Sequence, residues 1–143
     1  VTAWLLSLGF AWTLQGSPAL DEVRKQPDPL RRFEAALTLA GDAMRRARTV
    51  VQEAGTITEL KAALDEVSGG VEVALEALRA TGKHPRRLSK QYKKGEVRSR
   101  DLLRQLEQLV PAISLDSRPP AEQARDRVAE LHEQFLRGAM GHQ

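Results

Sequence analysis

The sequence predicts an all-α protein, an up-down-up-down antiparallel four-helix bundle, on three observations. Ala, Leu, Glu and Arg are abundant and aromatic residues make up only 4% of the chain. Such a composition favours helices, because Ala and straight side chains lose little freedom in them. Apolar residues recur at alternating spacings of three and four in four separate stretches, the pattern of a helix that buries one face. No stretch alternates with the period of two that a half-buried strand needs. The 143 residues leave room for one domain.

The first element is a candidate address. "VTAWLLSLGFAWTL", residues 1–14, carries no charge. It is shorter than the roughly 20 apolar residues of a membrane span. It fits the apolar core of a secretory signal, with Ser17 and Ala19 in the small-residue positions of a cleavage site. A cut after Gly16 is the second choice. Residues 1–19 are therefore expected to be a signal peptide and the protein to be secreted or periplasmic, the alternatives being an uncleaved anchor or a buried helix. Trp4, Phe10 and Trp12 all fall in this leader, so Phe33, Tyr92 and Phe135 are left as the aromatics of an otherwise aliphatic core. Residues 20–28, polar and with Pro27 and Pro29 at their end, read as a linker.

Asp28 followed by Pro29 opens the first bundle helix, expected over residues 29–54. The carboxylate accepts from a free N–H of the first turn, and proline has no N–H to leave unpaired. Leu30, Phe33, Leu37, Ala40, Met44, Ala47, Val51 and Ala54 form its seam, and Gly55 ends it. Thr56 and Glu59 make a capping box for the second helix, expected over residues 57–81. Its seam is Ile57, Leu60, Leu64, Val67, Val71, Ala74 and Leu78, widened by Leu75. Two adjacent glycines, Gly69 and Gly70, interrupt the composition without shifting the phase, so the helix is expected to continue through them. The third helix, residues 86–110, follows Pro85 and stops at Pro111. Its seam is Leu88, Tyr92, Gly95, Ser99, Leu102, Leu106 and Leu109. Pro119 and Pro120 open the fourth, residues 119–137, with Ala121, Ala124, Val128, Leu131 and Phe135 on one face and a frayed tail, 139–143, behind it. Short connections between helices of this length make neighbours antiparallel.

Charge gives the main functional lead. Residues 83–100 hold eight Lys or Arg against Glu96 alone, a net charge of +7 in a chain whose total is +3, so the rest carries −4. On a helical wheel Arg86, Lys90, Lys94 and Arg98 form a like-charged row opposite the seam, flanked by Arg87 and Lys93. A solvated helix face usually intersperses acids at i, i+4; a repelling row is not what stability alone selects. These six residues are the candidate anion-binding face. The alternative is that acids on neighbouring helices neutralise them. An anionic envelope component or an acidic protein surface fits the row as partner. Nucleic acid fits less well, because Tyr92 is the one nearby aromatic and lies on the seam rather than offering a stacking surface.

Tyr92, Gly95 and Ser99 raise a second possibility, an interior cavity for a small ligand or cofactor, since two of the three are small where the seam wants bulk. Close helix approach explains the same pattern. Catalysis and metals find little support. The absence of Cys removes thiolate chemistry. His84, His132 and His142 belong to no Glu-x-x-His pattern of di-metal bundles. Met44 sits mid-seam as packing rather than as a haem ligand, and no cofactor is assigned. Asp65–Glu66 and Glu130–Glu133 fall on exposed phases. The reading is a non-catalytic binding or scaffold protein, with the interior-ligand carrier and an intracellular nucleic-acid-associated protein as alternatives.

Overall fold

The structure, a computed structural model, describes residues 17–142. Residues 1–16, most of the expected leader, lie outside the described residues. Every described element is helical: α1 Pro18–Arg24, α2 Pro29–Gln52, α3 Ile57–Ala80, α4 Ser89–Leu109 and α5 Arg118–Ala139, with short 3₁₀ turns between them. Among the described residues no helix is long and apolar enough to cross a membrane.

The caps explain where the helices begin. Asp28 accepts the Leu30 N–H at 3.0 Å and Thr56 accepts the Glu59 N–H at 3.1 Å, which satisfies donors that the first turns leave free. α2 ends earlier than the glycine suggested. Ala54, with φ of 51°, takes the left-handed turn, and the Gly55 N–H then reaches the Val50 carbonyl at 2.8 Å. Gly55 sits close against Val50, where a Cβ would lie 2.8 Å from the Val50 Cγ1.

The expected linker over residues 20–28 is corrected in its first half. Residues 18–24 form α1, capped by the Ser17 hydroxyl, which accepts the Ala19 N–H at 3.2 Å. Leu20 is buried, because Gly69 on α3 leaves the room its side chain occupies. A helix of seven residues is too short to display a period, which is why the spacing did not reveal it. The third bundle helix also starts later than residue 86. Pro85–Leu88 is a 3₁₀ turn, tightened by the Arg87 N–H donating to the His84 carbonyl at 2.9 Å.

Packing follows from the seams. α2 and α3 lie antiparallel: Gly70 of α3 sits against Ala36 and Ala40, and further along Glu66 meets Arg46. α4 and α5 form a second antiparallel pair, with Tyr92 against Gly138 and Gly95 against Phe135. The two pairs meet mainly through α3 and α5. Glu72 meets Arg127 and Arg79 meets Gln134, one heptad along on both helices, so α3 and α5 run the same way. α3 is the most enclosed element, with Leu60, Leu64, Val67, Val71, Val73, Leu75 and Leu78 all buried. It continues unbroken through Gly69 and Gly70.

This enclosure corrects the placement of Glu66. Helical phase put it on an exposed face with Asp65, but only Asp65 is exposed. Glu66 is 8% exposed, covered by the start of α1. Its carboxylate accepts hydrogen bonds from the Ser17 hydroxyl and the Arg46 guanidinium, the pairing that a buried charge needs.

Candidate anion-binding face

The seam of α4 is buried at every position read from the sequence: Leu88, Tyr92, Gly95, Ser99, Leu102, Leu106 and Leu109. That commitment fixes what faces outward. Lys90, Lys93 and Arg98 are exposed on α4, and Arg86 and Arg87 are exposed on the 3₁₀ turn that leads into it. Val97, 43% exposed, lies on the same outward side. Since the 3₁₀ turn winds more tightly than an α-helix, Arg86 does not continue the α4 row. It lies beside the end of α5, where a Cβ on Gly141 would come 3.3 Å from Arg86 Cγ. A cation there sits well against the carbonyl end of a helix dipole.

The acids that oppose the row come from two places. Glu34 on α2 pairs with Lys94 across the α2–α4 boundary. Glu96 is engaged from two sides, with Arg100 at 3.6 Å one turn further along α4 and His132 of α5 at 3.5 Å. Both His132 and Glu96 are largely buried, and His132 Nε2 makes no hydrogen bond among the described residues. By contrast Arg86, Arg87, Lys90, Lys93 and Arg98 have no ion-pair partner among the described residues. Neutralisation by neighbours thus reaches one of the six candidate residues, Lys94.

The interior beside Gly95 is filled. A Cβ on Gly95 would lie 2.3 Å from two atoms of the Phe135 ring, so the ring already occupies the space that glycine vacates. Ser99 is fully buried and donates its hydroxyl to the Gly95 carbonyl at 2.7 Å, which satisfies it within its own helix. Tyr92 packs its ring edge-on to Phe135, centroids 6.3 Å apart, and against Gly138. Burial raises the Tyr92 phenol above its ordinary pKa of 10.0, opposed by the positive charge of Arg79.

The histidines have separate surroundings. His84 caps the 3₁₀ turn, its Nδ1 accepting the Arg86 N–H at 3.2 Å; its place directly before Pro85 was the available signal. His132 faces Glu96, and His142 is exposed near the end of α5. Among the described residues no group of three His, Asp or Glu side chains could hold a metal ion. No protein-family model, curated protein or solved structure matches the chain.

Proposed function

We propose that the protein is a non-catalytic binding or scaffold module that meets an anionic partner through the outward side of α4 and the turn before it. The body that presents this surface is taken to be an up-down-up-down bundle of α2 to α5. The proposal includes export by the leader, which places the partner among anionic envelope components: lipid headgroups, acidic glycans or an acidic protein surface. One observation carries it. Five cationic side chains, Arg86, Arg87, Lys90, Lys93 and Arg98, stand exposed without an acid among the described residues to pair with. A cluster of one sign focuses field and steers opposite charge to it. The apolar side of α4 is committed to the core, so the contact is peripheral and electrostatic rather than an insertion into lipid.

The test is retention on anionic vesicles and on immobilised polyanions at low and high salt. Binding should weaken steeply with salt, and it should be lost in the Lys90→Glu, Lys93→Glu double variant, which disturbs no ion pair among the described residues. If vesicles, polyanions and envelope extracts all fail to retain the protein at low salt, the reading is wrong. Retention by nucleic acid alone, with an intact leader, would favour the intracellular alternative.

A further inference from the structure

A cleft of about 680 Å³ opens where α3 ends and the loop to α4 begins. That volume falls in the range of small-molecule sites, roughly 300–1,000 Å³. Arg79 and Lys83 line it from the α3 side, Tyr92 from α4, and Glu133 and Arg137 from α5. It shares no residue with the outward basic face of α4.

Tyr92 is the feature that points to a ligand. The residue is 5% exposed, with the ring wedged against Gly138 and Phe135. Its hydroxyl makes no hydrogen bond among the described residues and is not among the buried atoms left without one, so the polar tip of an otherwise buried ring is open to solvent as a free donor. Since Tyr92 lines the cleft, that donor is available to a molecule held there. The surrounding charge says what kind of partner. Arg79 is held in place by Gln134 of α5, which accepts a hydrogen bond from its guanidinium. Lys83 and Arg137 add two more cations to the wall. Of the two acids in the lining, Glu130 is drawn to Arg127 at 3.0 Å, which leaves Glu133 to oppose three cations.

We propose that this cleft binds a small polar molecule through an oxyanion head, phosphate or carboxylate, which accepts the Tyr92 hydroxyl and sits against Arg79, Lys83 and Arg137, while Glu133 takes a hydroxyl or amino group of its body. A phenol donor and guanidinium groups make charge-assisted bonds with such a head, stronger than bonds between neutral groups.

Tyr92 is the single tyrosine of the chain, so a ¹³Cζ-tyrosine label reports this site alone. The labelled protein is titrated with inorganic phosphate and, separately, with acetate, against chloride at matched ionic strength. The expected result is a saturable shift with phosphate, acetate or both, and none with chloride; which of the two acts names the head group. Arg79→Gln should weaken the response about tenfold, the scale of one lost hydrogen bond to a charged group. Tyr92→Phe keeps the ring on Gly138 and so the fold, and should weaken the phosphate-induced amide shifts of Gly82 and Gly138. The Lys90→Glu, Lys93→Glu variant should respond as wild type, which separates this site from the basic face. No saturable shift with either anion, or an equal shift in Arg79→Gln, overturns the proposal.

Discussion

Gly95 and Gly138 each seat an aromatic ring carried by the facing helix. Phe135 of α5 fills the notch at Gly95 of α4, and Tyr92 of α4 fills the notch at Gly138 of α5, where a Cβ would lie 2.0 Å from the ring. Two opposing effects meet at Gly95. Alanine is the better helix former by about 1 kcal/mol. Overpacking a filled interior costs about 1–3 kcal/mol, and the Phe135 ring, enclosed by Gly95, Tyr92 and Phe33, has little freedom to retreat. Gly95→Ala should therefore lower stability by up to about 2 kcal/mol in denaturant unfolding. Gly41, also inside a helix, faces open space: a Cβ there would have nothing within 4 Å. Gly41→Ala should raise stability by about 1 kcal/mol. The pair tests whether space or propensity decides, and an equal effect of both would refute the notch. The seam position of Gly95 was readable from spacing; that Phe135 fills it was not, since the two residues lie on helices whose relative register spacing alone does not set.

At the scale of the element, the adjacent glycines of α3 serve two different neighbours. A Cβ on Gly70 would come 2.9 Å from the Ala36 carbonyl oxygen and 3.1 Å from the Ala40 nitrogen, both backbone atoms of α2. A Cβ on Gly69 would come 2.7 Å from Leu20 Cδ1, the free end of a side chain on α1. Backbone cannot yield without separating two helices, whereas a leucine tip can turn away. Gly70→Ala should cost about 2–3 kcal/mol of global stability. Gly69→Ala should leave global stability within about 1 kcal/mol of wild type. Its effect should be local: faster amide exchange confined to α1. Global loss from Gly69→Ala with exchange in α1 unchanged would contradict this division. The same region marks what sequence reading reached. The long helices were legible because their buried faces repeat every three or four residues over several turns. α1 offered two turns, anchored by Leu20 and Ser17, and its anchors lie on α3 about fifty positions away. Missing α1 also exposed Glu66 falsely, because phase alone cannot see what covers a face.

For the molecule as a whole, the question is what joins two helical pairs into one cooperative unit. Most of the core is Ala, Leu and Val, and the α2 seam is rich in alanine at Ala36, Ala40, Ala43 and Ala47, which lets α3 approach closely but contributes little area per residue. The three aromatics of the described residues are gathered instead at one place. Phe33 of α2 and Tyr92 of α4 flank Phe135 of α5, with ring centroids 6.5 and 6.3 Å from it. Phe135 is fully buried and lies between the other two, joining the Phe33 ring of the α2–α3 pair to the Tyr92 ring of its own pair. The candidate sites depend on this joint. The α4 face stays outward only while the seam holds, and the cleft has Tyr92 in its wall. The positions of the basic residues were legible as a run of charge, but the partner of Lys94, Glu34, lies 60 residues away on α2 and follows only from the assembled packing. Phe135→Ala should cost about 3–5 kcal/mol, the scale for removing a buried ring whose space cannot fully collapse. Phe135→Leu, which keeps most of the volume, should cost less. Because the ring links the pairs, the alanine variant should also separate unfolding as read by Tyr92 fluorescence from unfolding as read by helical circular dichroism, while wild type shows coincident transitions. Coincident transitions in Phe135→Ala, with the loss of stability confined to about 1 kcal/mol, would show that the α3–α5 contact joins the pairs without the aromatic cluster.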